Sequence, residues 1–304
     1  MYDIIIVGGG PAGLTAAVYG LRAGKSVLVI EKNGFGGQIA YSPKVENIPG
    51  TQLISGTEFA DKITEQAMAL GAEVELENVI RVEAQGDVKK VYTEEGSCFE
   101  GKTLILAVGV KHRMLGLPGE EELVGKGLSF CAVCDGAFYT GQNVAMIGGG
   151  NSALQEALLL SEICNKVTVV QNLPTFTGEK TLADALMAKD NVEVHFSTLV
   201  AGYKSENGSL TGLQLKKDSG EELEIPVDGA FLAVGLQPEN DAFAPLAKLN
   251  AYGYFDTDES CATQTPGLFV AGDCRSKIIR QVVTASSDGA IAAMAACRYI
   301  DSLS

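Results

Sequence analysis

The chain contains the same glycine-rich unit twice, and this repeat constrains its fold more than any other feature. In the first copy, the apolar segment 3–7 leads into the glycine loop 8–13, a helix-forming segment to about Arg22, and a second apolar segment that ends at Glu31. A strand, glycine loop, helix and strand in this order let the backbone approach a pyrophosphate at the helix N-terminus, and the acid after the second strand accepts from a ribose hydroxyl. The unit therefore predicts a dinucleotide-binding domain.

The second copy lies in residues 144–170. The glycines of the phosphate turn are kept as Gly148 and Gly150, whereas the position of Glu31 is taken by Gln171. An internal repeat of this kind indicates two related domains. The second domain is therefore expected to keep a phosphate-binding turn and to lack the ribose acid.

Further apolar segments follow both copies in the same order. We expect strands at about 73–84, 89–98 and 103–107 after the first copy, and at about 192–195, 210–216 and 231–233 after the second. The C-terminal segment, a strand at 267–270 and a helix from about 280 to 300, repeats nothing in the second half and is expected to return to the first domain. The predicted fold is α/β, with two nucleotide-binding, Rossmann-like, three-layer ββα domains, the second inserted in the first. The expected bounds are 1–112 and 241–304 for the first domain and 113–240 for the second.

The net charge and the cysteines exclude several classes of protein. The 304 residues carry a formal charge of −15, whereas binding to nucleic acids or anionic membranes requires clustered Lys and Arg. The 7 cysteines are scattered without a framework, which favours a reducing compartment over disulfide stapling. The sequence shows neither a leader pattern at its start nor an apolar run long enough to cross a bilayer. We expect a cytoplasmic protein that binds neither nucleic acid nor membrane.

A Cys-x-x-Cys pair, Cys131 and Cys134, is followed by Asp135 and lies just before the second copy of the repeat. The spacing places two thiols one helical turn apart, which suits either a redox dithiol or half of a zinc site. The sequence offers no second Cys pair or His cluster to complete a tetrahedral site, so a redox dithiol is favoured and no metal is expected. The other cysteines and both histidines lie in no catalytic pattern and are expected to be structural: Cys98, Cys164, Cys261, Cys274, Cys297, His112 and His195.

Several short motifs, spread over essentially the whole chain, resemble those of low-molecular-weight thioredoxin reductases. They are Gly8 to Gly13, Gly36-Gly37-Gln38, Glu46-Asn47-Ile48-Pro49-Gly50, Leu117-Pro118-Gly119-Glu120, Cys131 to Gly136, Gly148 to Ala153, Gly272-Asp273 and Arg280-Gln281. The resemblance implies a homodimer with FAD bound in the first domain. The residues that it places around FAD are Gly8, Gly10, Pro11, Ala12, Gly13, Glu31, Lys32, Gly37, Gln38, Asn47, Val79, Ala107, Gly109, Gly272, Asp273, Arg280, Gln281 and Val282.

The resemblance also implies roles for the Cys-x-x-Cys segment. Cys134 is the sulfur that faces the flavin, and Cys131 is the exchange thiol that attacks the disulfide of the partner protein, thioredoxin. Asp135 is either a general acid and base for the proton transfers or simply the N-cap of a helix. Because the dithiol must meet first the flavin and then a protein, the inserted domain is expected to rotate against the first.

The chain departs from the family just after the second strand of the second repeat. Family members carry a His-Arg-Arg-x-x-x-Arg run there, whose arginines hold the 2′-phosphate of NADPH, but residues 171–177 of this chain read Gln-Asn-Leu-Pro-Thr-Phe-Thr. Two lost charged hydrogen bonds of ~1.5–3 kcal/mol each would weaken binding roughly a hundredfold to ten-thousandfold. Residues 113–243 also hold 8 Lys and Arg against 18 Asp and Glu, which disfavours a polyanionic cofactor.

These features favour the branch of the family that lacks the arginines, which includes ferredoxin-dependent flavin thioredoxin reductases. In that interpretation FAD takes electrons from ferredoxin, and the dithiol passes them to thioredoxin. Two alternatives stay open. One is an NADPH-dependent enzyme in which Gln171 and Asn172 bind the nucleotide in a variant pose, and the other is a dithiol oxidase that passes electrons to oxygen.

Overall fold

The chain divides into two compact units in the computed structural model, which describes residues 1–42 and 45–303. The first unit contains residues 1–42, 48–111 and 237–303. The second unit contains residues 45–47 and 112–236.

Strands and helices alternate along most of the chain. The strands are β1 Tyr2–Val7, β2 Val27–Glu31, β3 Glu73–Leu76, β4 Val79–Gln85, β5 Val88–Thr93, β6 Cys98–Leu106, β7 Lys111–His112, β8 Leu128–Ser129, β9 Asn143–Ile147, β10 Lys166–Val170, β11 Val192–His195, β12 Thr198–Glu206, β13 Ser209–Lys217, β14 Glu222–Pro226, β15 Gly229–Leu232, β16 Leu236–Gln237 and β17 Leu268–Val270. The α-helices are α1 Pro11–Arg22, α2 Gly56–Ala69, α3 Glu120–Leu123, α4 Ala132–Asp135, α5 Asn151–Ile163, α6 Lys180–Met187 and α7 Val282–Ser302. Short 3₁₀ segments lie at Gly37–Tyr41, Gly136–Tyr139, Asp241–Phe243 and Gly272–Cys274. Over the described residues, no helix is long and apolar enough to cross a membrane.

The first unit is built on one sheet in which β1 is central. Strands β3, β2, β1, β6 and β17 run parallel in this spatial order. The hairpin β4–β5 joins the sheet because residues 98–101 of β6 pair antiparallel with β5, while later residues of β6 pair parallel with β1. One long strand thus belongs to both the parallel sheet and the hairpin.

Alternate residues of β1 pack on opposite faces of this sheet, as expected for a strand. Ile4 and Ile6 lie in a core formed with helices α1 and α7. Ile5 and Val7 lie in a second core that includes Val91 of β5. The first unit therefore has the three predicted layers of helices, parallel sheet and β-hairpin.

The second unit repeats this design. Strands β11, β10, β9, β15 and β8 form a parallel sheet in this order, and β12, β13 and β14 form a separate antiparallel sheet. Val144 and Met146 of β9 pack with α5, whereas Ala145 and Ile147 pack with Leu213 of β13. The α/β fold class predicted from the two glycine loops is confirmed.

The first glycine of each loop is required by the backbone. Gly8 has a φ of +110°, and a Cβ there would lie 2.2 Å from the carbonyl oxygen of Ala107. Gly148 has a φ of +130°, and a Cβ there would lie 2.5 Å from the carbonyl oxygen of Ala233. Any side chain at these positions would be strained and would collide with the end of a neighbouring strand. The same steric requirement explains the same residue in both units.

Several predicted elements differ from the structure. The strand expected at 73–84 is two strands, β3 and β4, and the strand expected at 89–98 ends at Thr93. A turn follows, with Gly96 at a φ of +92°, and reverses the chain into β6. The Glu-Glu-Gly-Ser sequence at 94–97 is a turn signal that apolar patterning alone does not contain. The last helix begins at Val282 rather than at about residue 280.

The limits of the second unit also differ slightly from those expected. Residues 237–240 belong to the first unit, where the Asn240 amide donates to the carbonyl oxygens of Gly253 and Cys274. Residues 45–47, which were expected in the first domain, group with the second unit. The short strands β7 and β16 pair with each other where the chain passes between the units.

Candidate active site

Cys131 lies directly before the short helix α4, Cys134 lies within it, and a disulfide joins their two sulfurs. Residues 129–135 are called the dithiol turn below. The Cα atoms of Cys131 and Cys134 are 5.3 Å apart, and both residues are partly exposed. Cys131 is the N-cap of α4, where its Sγ accepts from Cys134 N at 3.1 Å. Within residues 1–42 and 45–303, no group of three potential metal ligands forms. This partly exposed disulfide can exchange with an external dithiol or disulfide.

Ser129, which no sequence pattern identified, joins Asp135 to this turn. The buried Ser129 hydroxyl donates to Asp135 Oδ2 at 2.6 Å and accepts from Cys131 N at 3.2 Å. Asp135 precedes the 3₁₀ segment 136–139, but its side chain does not cap that segment. The carboxylate is therefore held beside the dithiol by a serine and is not engaged as a helix cap.

Glu156 reaches the same turn from α5, the helix that follows the second glycine loop. Its Oε2 accepts from Ala132 N at 2.8 Å. Burial raises the pKa of Glu156, and the hydrogen bond from Ala132 offsets only part of this effect. Ala153 and Leu160, on the same side of the helix, are buried. One acid among apolar residues at helical spacing is the sequence signal that could have identified it.

An aromatic contact involves the residue directly before Cys131. Phe130 stacks on His112, with ring centroids 4.5 Å apart and an interplanar angle of 14°. Burial lowers the pKa of His112 to about 4, so the imidazole is neutral near physiological pH. The histidine that was expected to be structural thus has a packing contact beside the dithiol turn.

The first glycine loop is arranged to receive an anion at the start of α1. Glu31 accepts from Gly9 N at 2.7 Å, and the Gly9 carbonyl accepts from Gly36 N at 2.7 Å. Gly10 is the N-cap of α1, which has neither a side-chain cap nor an acidic residue in its first turn over the described residues. The first amides of a helix are unpaired within the helix and attract negative charge. The loop therefore suits a pyrophosphate.

The loop before α7 lies beside the first glycine loop. Gly272 is so close to Ala12 that a Cβ at position 272 would lie 2.9 Å from the Ala12 side chain. Asp288 accepts from Gly272 N at 3.0 Å and from the guanidinium of Arg275. The neighbouring Asp273 has a buried Oδ1 without a hydrogen-bond partner among the described residues, and burial raises the pKa of this carboxyl to about 6. A buried acceptor of this kind suits a hydroxyl group of a ligand.

Ten of the predicted cofactor-binding residues come together around this loop pair. They are Gly8, Gly10, Pro11, Ala12, Gly13, Glu31, Gly37, Ala107, Gly272 and Asp273. Arg280 is linked to them because its guanidinium donates to the Asp273 carbonyl and stacks on Tyr254. Gln281 is the N-cap of α7, which starts at Val282.

The other predicted cofactor-binding residues lie elsewhere in the chain. Lys32 forms a salt bridge with Glu239, Val79 is the first residue of β4, and Gln38 lies in a 3₁₀ segment. Gly109 follows β6 with a φ of +67°, and Asn47 groups with the second unit.

The second glycine loop contacts the segment that follows β10, as the first glycine loop contacts the segment that follows β2. Gln171 is buried, and its side-chain amide donates to the Thr175 carbonyl at 3.1 Å. A Cβ at Gly149 would lie 2.5 Å from this amide nitrogen. The Gly149 carbonyl also accepts from Thr177 N at 2.9 Å. The segment 171–177 is thus folded onto the loop by its own hydrogen bonds.

A carboxylate is bound at the start of α5, next to this loop. Glu179 Oε1 accepts from Asn151 Nδ2 at 3.1 Å, and Asn151 Oδ1 accepts from Glu179 N at 2.7 Å. Asn151 is the first residue of α5, where a nucleotide phosphate would be stabilised by the helix amides. The negative charge of Glu179 opposes a phosphate at that position.

Known proteins resemble this chain over almost its whole length. The chain matches the pyridine nucleotide-disulphide oxidoreductase family over residues 2–289. A thioredoxin reductase from Treponema pallidum is 39% identical over 303 residues, covering 99% of this chain and 98% of that protein. A protein of Clostridium pasteurianum described as a 34.2 kDa protein in rubredoxin operon is 38% identical over 299 residues, covering 98% of this chain and 97% of that protein. The crystal structure of thioredoxin reductase from Streptococcus pyogenes MGAS5005 has a TM-score of 0.94 and 38% identity, covering 99% of both chains.

Proposed function

Because the chain belongs to the pyridine nucleotide-disulphide oxidoreductase family, we propose that it is a thioredoxin reductase that receives electrons from ferredoxin through FAD, and not from NADPH. Membership of this family makes the chain a flavin-dependent disulfide oxidoreductase. Its redox pair is Cys131 and Cys134, which form the disulfide of the second unit. The name shared by several relatives supports thioredoxin as the protein substrate.

The absence of arginines in the segment beside the second glycine loop is the observation that carries the choice of donor. At the positions where relatives use arginines to hold the 2′-phosphate, this chain has Asn172, Leu173 and Thr177. The polar side chain of Gln171 is already bonded to the Thr175 carbonyl. No cation of that segment is available for NADPH, while the carboxylate of Glu179 is bonded to the side chain of Asn151, the first residue of the adjacent helix. The electrons must then enter the flavin from another source.

The residues present fit FAD in the first unit. The amides of the loop at Gly10 suit its pyrophosphate, Glu31 lies at the end of β2 where a ribose hydroxyl would be accepted, and the orphan oxygen of Asp273 suits a further hydroxyl. When bound, FAD exchanges electrons singly or in pairs, so it can connect a one-electron iron–sulfur donor to a two-electron disulfide. The Clostridium relative in a rubredoxin operon supports a one-electron iron protein as the donor.

The transfer to thioredoxin is then a thiol–disulfide exchange performed by this chain's cysteines. In the reduced pair, the Cys131 thiolate attacks one sulfur of the thioredoxin disulfide, which forms a mixed disulfide and releases the other sulfur as a thiolate that takes up a proton. Cys134 next attacks Cys131 Sγ, which restores the Cys131–Cys134 disulfide and releases thioredoxin as a dithiol. Asp135, held by Ser129, takes or delivers a proton in these steps.

Anaerobic mixing of the oxidised holoenzyme with excess NADPH tests the choice of donor. We expect the flavin absorbance to persist over minutes with NADPH and to bleach with chemically reduced ferredoxin. Rapid bleaching by NADPH would refute the proposal and support the variant-pose alternative. Flavin that is reduced by a small dithiol and reoxidised by oxygen, without reduction of thioredoxin, would support the dithiol oxidase instead.

The variant Cys131→Ser tests the role of the dithiol. Thioredoxin reduction should be abolished, because no exchange thiol remains, while reduction of the flavin by its donor is retained. Cys98→Ser is the matched control, since Cys98 is an exposed free cysteine in the first unit. Thioredoxin reduction that survives in Cys131→Ser would show that the dithiol assignment is wrong.

We also propose a homodimer located in the cytoplasm, and a rotation of the second unit against the first during turnover. The dimer follows from the family resemblance, and sedimentation of the purified holoenzyme measures it. The rotation is proposed because the dithiol must contact first the flavin and then thioredoxin. A variant cross-linked between the two units that still reduced thioredoxin at full rate would contradict the rotation.

A further inference from the structure

Both the carbonyl oxygen and the N–H of the peptide bond between Cys131 and Ala132 form hydrogen bonds. Its carbonyl oxygen accepts from Cys134 N at 3.2 Å and from Asp135 N at 3.0 Å. Its N–H donates to Glu156 Oε2 at 2.8 Å, although Ala132 and Glu156 are 24 positions apart in the chain. Glu156 therefore contacts the backbone of the dithiol turn directly.

The choice of an acid at position 156 is unfavourable for stability alone. Burial raises the pKa of Glu156, which shows that the surroundings disfavour its charge. Within the described ranges, the group that counteracts this burial is the Ala132 amide and not a Lys or Arg side chain. A glutamine would offer the same carbonyl acceptor without placing a charge in this position. A partly buried charge in a place where a neutral group would serve calls for a functional explanation.

We propose that Glu156 is a positioning residue with two effects: it fixes the dithiol turn, and its negative charge keeps the Cys131–Cys134 dithiol strongly reducing. Conversion of the disulfide to the dithiol takes two electrons and two protons, and loss of a proton from Cys131 creates an anion on the residue whose peptide bond with Ala132 the carboxylate contacts. Like charges disfavour this thiolate, whereas the disulfide carries no charge. The carboxylate therefore shifts the equilibrium toward the disulfide, so that the dithiol gives up its electrons more readily. The inference rests only on the disulfide oxidoreductase activity, and neither the electron donor nor the protein substrate enters it.

Two variants of Glu156 and one control test the inference. Glu156→Gln keeps an acceptor for Ala132 N and removes the charge, whereas Glu156→Ala removes both. Glu162→Gln is the matched control, because Glu162 lies on the same helix with 64% of its side chain exposed and pairs with Lys189. The holoenzymes are equilibrated in dithiothreitol redox buffers and the reduced fraction is measured by alkylation and mass spectrometry. The rate at which iodoacetamide alkylates Cys131 in the reduced holoenzyme is measured separately.

In redox buffers at about pH 10, above the ordinary pKa of a cysteine thiol, we expect Glu156→Gln to shift the equilibrium about tenfold toward the reduced pair, equivalent to a rise of about 30 mV in the reduction potential. Near neutral pH, where the reduced pair is largely protonated, the shift should be much smaller. Alkylation of Cys131 should be several-fold faster, because its thiolate is no longer opposed by a neighbouring charge. Glu156→Ala should show a shift of the same sign together with a lower melting temperature, and Glu162→Gln should match the wild type. The proposal is overturned if Glu156→Gln matches the wild type in both measurements, or if only the melting temperature of Glu156→Ala changes.

Discussion

Replacement of Asn172 and Thr177 by arginine should turn the second glycine loop into a site for a nucleotide with a 2′-phosphate. Both residues are exposed, so longer side chains can be added there without disturbing the core. The Thr177 hydroxyl donates to the Gly149 carbonyl at 3.3 Å, and this bond is lost in the double variant. The same carbonyl still accepts from the main-chain nitrogens of residues 177 and 178. We therefore expect the segment 171–177 to keep its fold in the double variant.

The size of the gain follows from the number of new charged contacts. Each hydrogen bond between a guanidinium and the phosphate contributes ~1.5–3 kcal/mol. Two such bonds strengthen binding by roughly a hundredfold to ten-thousandfold. The exposed carboxylate of Glu179 lies near the same loop and competes for the new arginines. A gain in the lower half of that range is therefore expected.

Calorimetric titration with adenosine 2′,5′-bisphosphate and adenosine 5′-monophosphate isolates the contribution of the 2′-phosphate. The ratio of the two dissociation constants should rise in N172R/T177R and not in the control S205R/S219R, which adds the same charge in β12 and in the loop between β13 and β14 of the same unit. A ratio in N172R/T177R within about threefold of the wild-type value would refute the reasoning. A wild-type protein that already bound the bisphosphate in the micromolar range would refute it as well.

Two further predictions concern the acids of the first unit. Asp288→Ala removes the buried carboxylate that pairs with the buried Arg275 and leaves Arg275 with the exposed Glu259. The free energy of unfolding should fall by about 3–5 kcal/mol, as measured by far-ultraviolet circular dichroism in urea. A loss below about 1 kcal/mol would contradict the buried ion pair. Burial raises the pKa of Asp273 from 3.8 to about 6, so the flavin-free protein should lose stability as pH rises through this interval, because the folded state holds a proton that the unfolded state releases. Asp273→Asn should remove this pH-dependent loss of stability. If the free energy of unfolding changes equally with pH in the flavin-free wild type and variant between about pH 4 and 6, the role of Asp273 is contradicted.

Much of the fold was predictable because its requirements are local. Gly8 and Gly148 adopt backbone angles that other residues rarely adopt. In the segments around them, apolar residues recur with the spacing that is typical of a strand or of a helix. The errors came where a turn interrupted an apolar pattern, as at Gly96, or where a boundary depended on distant partners, as at Asn240. Local composition contains little information about such partners.

The candidate site was predictable only in part. The Cys-x-x-Cys spacing and the loss of arginines after Val170 could be read from the order of residues alone. Ser129 belongs to no motif whose spacing specifies chemistry, and the position of Glu156 among apolar residues at helical spacing does not show which group it contacts. Their importance becomes visible only when the turn and helix α5 are placed side by side.

By itself, the sequence determined that the chain has two related nucleotide folds, one redox dithiol and a second glycine loop without arginines. These properties depend on residue type and spacing over a few turns of backbone, where sterics and charge act directly. Only the tertiary structure decided that Gln171 contacts that loop and Glu179 bonds to Asn151, that Asp273 keeps an unpaired buried oxygen, and that Glu156 contacts the dithiol turn. The physical reason is that hydrogen bonding and desolvation depend on which groups folding brings within about 3 Å, and these groups are far apart in the chain.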